Sequence, residues 1–111
     1  MNAAKTKGTA WESKIVAFLG CVGWPHVERR TLNGARDKGD IAGIPGVVIE
    51  AKNQNRTSLA EWLDEAEAEG RNAGAAVRVV WAHRKGKAHP GDGYVVMTGS
   101  QFVELLKGAG Y

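Results

Sequence analysis

Gly39-Asp40-Ile41-Ala42-Gly43-Ile44-Pro45-Gly46-Val47-Val48-Ile49-Glu50-Ala51-Lys52 decides the fold. Short apolar segments flank Ile44-Pro45-Gly46, a turn signal, so residues 40–43 and 47–53 read as a hairpin. Side chains alternate between the faces of a strand, so register decides which residues meet. A two-residue Pro-Gly turn would set Ile41 opposite Glu50, a core residue against a charge. A three-residue loop sets Ile41 opposite Ile49 and Asp40 opposite Glu50. The hydrophobic pattern prefers that second register, with Gly46 in a left-handed conformation. Val47, Ile49 and Ala51 then face one side, and Val48, Glu50 and Lys52 the other. Glu50 closes an apolar run that ought to be buried, and a buried charge is costly unless it is paired or binds metal.

Working outward, Trp11, Ile15, Val16 and Leu19 recur at helical spacing. They predict a helix from Gly8 or Thr9 to about Leu19, after a loose polar lead-in over residues 1–8. Trp24 to Thr31 reads as a strand and Asn33-Gly34 as a turn. Downstream, Ser58 with Glu61 makes a capping-box pattern for a helix to about Asn72, with Leu59, Trp62, Leu63 and Ala66 inward. The apolar run Val77 to Ala82 suits a buried central strand. Tyr94 to Thr98 is another strand, and Ser100 caps a last helix over Gln101 to Lys107. The order αβββαββα predicts one α/β domain over residues 1–111, with a mixed central sheet flanked by helices.

Charge is unevenly distributed. The net charge of +3 conceals a net +4 over residues 1–57, −4 over 58–75 and +3 over 76–111. The acids are therefore gathered on one helix, and the rest of the chain is basic enough to attract a phosphate backbone in a salt-dependent way. Cys21 is alone, which excludes an internal disulfide; it reads as a small buried apolar residue. No Cys/His cluster has zinc spacing, and no apolar run approaches the ~20 residues of a membrane span. A reducing cytoplasm fits these features.

Asp40, Glu50 and Lys52 have the chemistry of a phosphodiester-hydrolysing metal site. Hydrolysis needs an attacking water, charge relief on the phosphate and help for the leaving oxygen, all of which a carboxylate-held divalent ion supplies. Mg²⁺ prefers oxygen ligands and keeps several waters, so Asp40 and Glu50 suffice to hold it, with the Ala51 main-chain carbonyl as a further ligand. Mn²⁺ can substitute. Lys52 lies two residues beyond Glu50 on the same face, roughly 6.5–7 Å along the strand, where it can orient the water or stabilise the developing charge. Glu12 is a fourth candidate, because residues 8 and 12 of a helix share a face. Lys5, Lys7, Lys14, Arg29, Arg30, Arg36, Lys38 and Arg56 are candidate phosphate contacts, and Gln54 a candidate DNA contact.

Lys7-Gly8-Thr9-Ala10-Trp11-Glu12, Gly39-Asp40-Ile41-Ala42-Gly43 and Val48-Ile49-Glu50-Ala51-Lys52, in that order and spacing, resemble the PD-(D/E)XK nuclease superfamily. Within it they are most similar to archaeal-type Holliday junction resolvases and their phage-encoded relatives. The resemblance implies a restriction-endonuclease-like αβββαβ core and a metal-dependent endonuclease that nicks branched DNA as a homodimer in a prokaryotic or phage-infected cell. It places Asp40, Glu50 and Lys52 in the catalytic core, and Glu12 at the position of the family's N-terminal helix glutamate. The loop Ala35-Arg36-Asp37-Lys38 departs from the family, which often carries a small hydroxyl residue there. Two other readings stay open: a nickase or restriction-type enzyme acting on linear DNA, and a DNA-binding module without catalysis.

Overall fold

Helix α1 spans Ala3–Val22, starting well before Gly8. Ala3, Ala4, Lys5, Lys7 and Ala10 are strong helix formers, and one glycine among them costs less than the extra turns return. Trp11, Ile15 and Leu19 repeat every four residues and are its buried stripe. The computed structural model describes residues 3–30 and 39–111.

Of the strand expected over Trp24 to Thr31, whose last residue lies outside the described residues, the described part forms only β1, Glu28–Arg29. Pro25 offers no N–H to a ladder, so the chain turns through Pro25-His26 instead and leaves Trp24 exposed. Strands β2 (Ile41–Ala42) and β3 (Val47–Lys52) form the expected hairpin, with Ile41 paired to Ile49. The Val47 N–H donates to the Ile44 carbonyl at 3.1 Å, and Gly46 has φ +77°. Pro at the second position and a left-handed Gly at the third are the demands of a type II turn.

Helix α2 (Leu59–Ala73) follows, then β4 (Val77–Ala82) parallel to β3, β5 (Tyr94–Val96) antiparallel to β4, and α3 (Gly99–Gly108). Among the described residues the sheet order is β1-β2-β3-β4-β5, five strands of mixed direction flanked by three helices. Val47, Ile49 and Ala51 pack with Val77, Val79 and Trp81 around the buried stripe of α1. On the other face Val80 and Ala82 pack against Trp62 and Ala66 of α2. No helix among the described residues is long and apolar enough to cross a membrane.

Four local expectations are corrected. Ser58 is the N-cap of α2, but its side chain makes no capping hydrogen bond, so the capping box does not form. Leu59, at the first position, is 48% exposed because the inward stripe begins only at Trp62. Helix α3 is capped by Thr98, whose hydroxyl accepts from the Gln101 N–H at 3.1 Å, rather than by Ser100. Cys21 is exposed, since it lies roughly 200° round α1 from Leu19, away from the buried stripe.

Gly43 fixes how β2 lies against the chain before β1. A Cβ there would sit 2.7 Å from the His26 carbonyl oxygen and 2.8 Å from the Val27 Cα, and its φ is +113°. Backbone cannot yield as a side chain tip can. Gly43→Ala is therefore expected to lower unfolding free energy by about 1–3 kcal/mol, read by urea denaturation.

Candidate active site

Glu50 lies on β3 opposite Val80, and Lys52 opposite Ala82, so both project toward α2. Glu50 is only 5% exposed, and its Oε2 is buried without a hydrogen-bond partner among the described residues. Asp40 reaches it from the neighbouring strand. The Asp40 N–H donates to the Ile49 carbonyl at 3.0 Å, although Ile49 pairs with Ile41. Two residues facing one is the count of a β-bulge, which re-aims the side chain at the bulge. The Asp40 carboxylate turns in to the strand edge, where its Oδ2 accepts from the Ala51 N–H at 2.9 Å. The N–H and C=O of one strand residue point to the same edge, so the Ala51 carbonyl also faces the Asp40 side.

Helix α1 adds Glu12 from the opposite layer. Its Oε1 accepts from Arg29 Nε at 3.0 Å. Glu12, Asp40, Glu50 and Lys52 line one cleft of about 450 Å³, whose rim includes Lys7 and Gln54. A second lobe of about 520 Å³ shares Gly8, Glu12 and Asp40 and is walled by Lys5, Arg29 and Arg30. The two lobes make a groove with acids at its floor and cations along one side.

The electrostatics follow from crowding. Glu50 is pushed up to about 8, first by burial and further by Glu69; Asp40, by hydrogen bonding, and Lys52 pull it back only in part. Glu12 is also raised, by burial first and by Asp40, against the counteracting Arg29. Burial by itself would lower Lys52, but Glu65, Glu50 and Asp40 outweigh it and hold the ammonium above its ordinary range. Lys52 Nζ donates to Glu65 Oε2 at 3.0 Å and to Oε1 at 3.2 Å. The cation of the cleft is thus held from its outer side by α2.

A raised carboxyl pKa has a definite stability sign. Folded Glu50 keeps its proton between pH 4.5 and about 8, where the unfolded chain has lost it. The unfolded state then binds fewer protons, so stability falls as pH rises through that window. The loss is bounded at roughly 5 kcal/mol. In EDTA, urea titrations at pH 5.5 and 8 are expected to show this fall in wild type and a much flatter profile in Glu50→Gln. Equal slopes in the two proteins would remove Glu50 as the cause.

The other candidates divide. Lys5, Arg29 and Arg30 flank the groove, and Arg30 Nε is buried without a hydrogen-bond partner among the described residues. Lys7 Nζ donates to Asn55 Oδ1 at 2.7 Å, tying α1 to the segment after β3. Lys14 is roughly 200° round the helix from Glu12 and lines neither lobe. Arg56 is exposed and also outside both lobes. Arg36, Lys38 and the Asn33-Gly34 turn lie outside the described residues.

Two residues of the site escaped the sequence reading, which treated Glu65 and Glu69 only as part of an acidic helix. Their carboxylates stand with that of Glu50, all within 4.8 Å of one another. The signal was present: Glu69 falls three residues after Ala66 and seven after Trp62, on the inward stripe of α2. Comparisons with protein-family models, curated proteins and solved structures return no match to this chain.

Proposed function

We propose that this chain is a metal-dependent DNA endonuclease of the PD-(D/E)XK type, hydrolysing phosphodiester bonds and nicking four-way junctions as a symmetric homodimer. The observation that carries the reading is Glu50: a carboxylate almost wholly buried, one oxygen without a hydrogen-bond partner among the described residues, sharing a cleft with Asp40, Glu12 and Lys52. An isolated buried carboxylate costs several kcal/mol, which a cation offsets. The donors around it, Asp40, Glu50 and the Ala51 carbonyl, offer oxygen alone, which suits Mg²⁺ or Mn²⁺ rather than a softer metal. Bound there, such an ion supplies a water of lowered pKa and charge relief on the phosphate.

The remaining steps belong to the chain. Lys5, Arg29 and Arg30 take up the phosphate backbone along the groove. Lys52, kept protonated by its acidic neighbours, acts as a donor and not as a base. It exchanges Glu65 for the attacking water or a phosphate oxygen and stabilises charge developing there. Glu12, its pKa raised by burial and within the field of Asp40, is a stronger base than an exposed carboxylate and accepts a proton from the water. Cutting both sides of a junction needs two sites related by a two-fold axis, which a homodimer provides.

Removing one groove cation tests the DNA contact apart from the chemistry. Arg30→Ala is expected to weaken junction binding in Ca²⁺ and to reduce the slope of log K against log salt by about 1. An unchanged slope would take Arg30 out of the phosphate path. Four-way junction, linear duplex and single strands, each incubated with Mg²⁺ or EDTA, test the function. Mg²⁺-dependent paired nicks in the junction alone are expected. Equal cutting of linear duplex would indicate a nickase or restriction-type enzyme, and binding with no cutting a non-catalytic module.

A further inference from the structure

We propose that helix α2 supplies Glu65 and Glu69 to a second divalent-cation site, which shares Glu50 with the Asp40 side of β3. Carboxylate oxygens of Glu50, Glu65 and Glu69 lie within 4.8 Å of one another. Glu65 and Glu69 are one helical turn apart, so they present their carboxylates together. Glu50 and Glu69 are each only 5% exposed. A second observation points to a ligand: among the described residues, Glu50 Oε2 is sealed from solvent and has no hydrogen-bond partner. The chain's own cation at this place, Lys52, donates to Glu65, the outermost and most exposed of the three. It neutralises the rim of the cluster and compensates the burial of Glu50 only in part.

An all-carboxylate donor set takes a hard cation such as Mg²⁺, Mn²⁺ or Ca²⁺. The site differs from the one proposed for hydrolysis in its remaining ligands, which come from α2 and not from the hairpin edge. A cation there would compete with Lys52 for Glu65 and so release the ammonium into the cleft. It would also mask two acids of a helix that otherwise repels a phosphate backbone. This inference rests on the proposed function only in taking the Asp40 side as a separate site.

The test is calorimetric titration of the full chain with Mn²⁺ alone, for wild type, Glu65→Gln, Glu69→Gln and Asp40→Asn, with thermal melts to show that each is folded. Wild type is expected to bind two ions. Glu69→Gln is expected to lose one, Glu65→Gln to weaken one by about tenfold or more, and Asp40→Asn to keep the α2 site. Wild-type stoichiometry and affinity in both Glu65→Gln and Glu69→Gln overturn the proposal. So does a single ion lost in Asp40→Asn alone, which leaves the nuclease reading standing. A single ion lost in Glu65→Gln and Glu69→Gln but kept in Asp40→Asn supports the α2 site and removes the Asp40 one. No binding by wild type overturns both.

Discussion

Lys52→Ala is expected to lower the single-turnover rate of junction cleavage by about 10²–10⁴-fold, while junction binding in Ca²⁺ changes far less. The side chain is 11% exposed and lines the acid-floored cleft, not the cationic wall of the groove. Its loss removes a donor that acts on the reacting centre, and leaves Lys5, Arg29 and Arg30 to hold DNA. Lys52→Arg is expected to recover part of the rate, because the charge returns on a differently shaped head. Quenched-flow cleavage at saturating protein separates the rate from the affinity. A rate within a few-fold of wild type would reduce Lys52 to the structural partner of Glu65.

Glu50→Gln is expected to act in opposite directions on activity and stability. The amide fills the same space, so the fold persists, but a neutral oxygen is a poor ligand for a hard cation. Cleavage at fixed Mg²⁺ is expected to fall by about 10³-fold or more, the several kcal/mol a metal contributes to charge stabilisation. At pH 8 without metal the same variant is expected to be more stable than wild type, since it no longer meets the cost of ionising a buried acid. Asp40→Asn is expected to lose activity to a similar degree without that gain, because Asp40 is less buried. A substitution that stabilises while it inactivates marks a residue kept for function. Loss of both properties in Glu50→Gln would make Glu50 a structural residue.

The hairpin was the most legible part of the chain. One wrong register would have placed Glu50 against Ile41, and that penalty is readable from alternation alone. The observed Ile41–Ile49 pairing and the left-handed Gly46 follow from it. The element order was legible for a related reason, as the longer elements carry buried apolar stripes or runs, though β1, Glu28–Arg29, does not. Boundaries were less so. The start of α1 is set by propensity spread over several alanines and lysines, not by a cap. The loss of most of the strand after Trp24 comes from one proline. Thr98 wins the cap of α3 because its backbone is extended there, with ψ +157°, and its hydroxyl reaches the Gln101 N–H, which spacing does not reveal.

The candidate site was legible as to its strand residues and not as to its surroundings. Asp40, Glu50 and Lys52 converge because they follow one hairpin. The bulge that turns Asp40 toward the Ala51 N–H is a backbone detail without a residue signature. Glu65 holding Lys52 depends on where α2 crosses the sheet, a tertiary matter that helical periodicity leaves open. Glu69 was different: its place on the inward stripe could have been read, and its charge concealed it.

The most direct measurement uses a supercoiled plasmid with an extruded inverted repeat, incubated with wild-type protein and Mg²⁺. Linear product with both ends at the repeat, absent in EDTA, is the expected result, since it requires metal-dependent hydrolysis by two symmetric sites. Plasmid left supercoiled at saturating protein and Mg²⁺ would contradict the account.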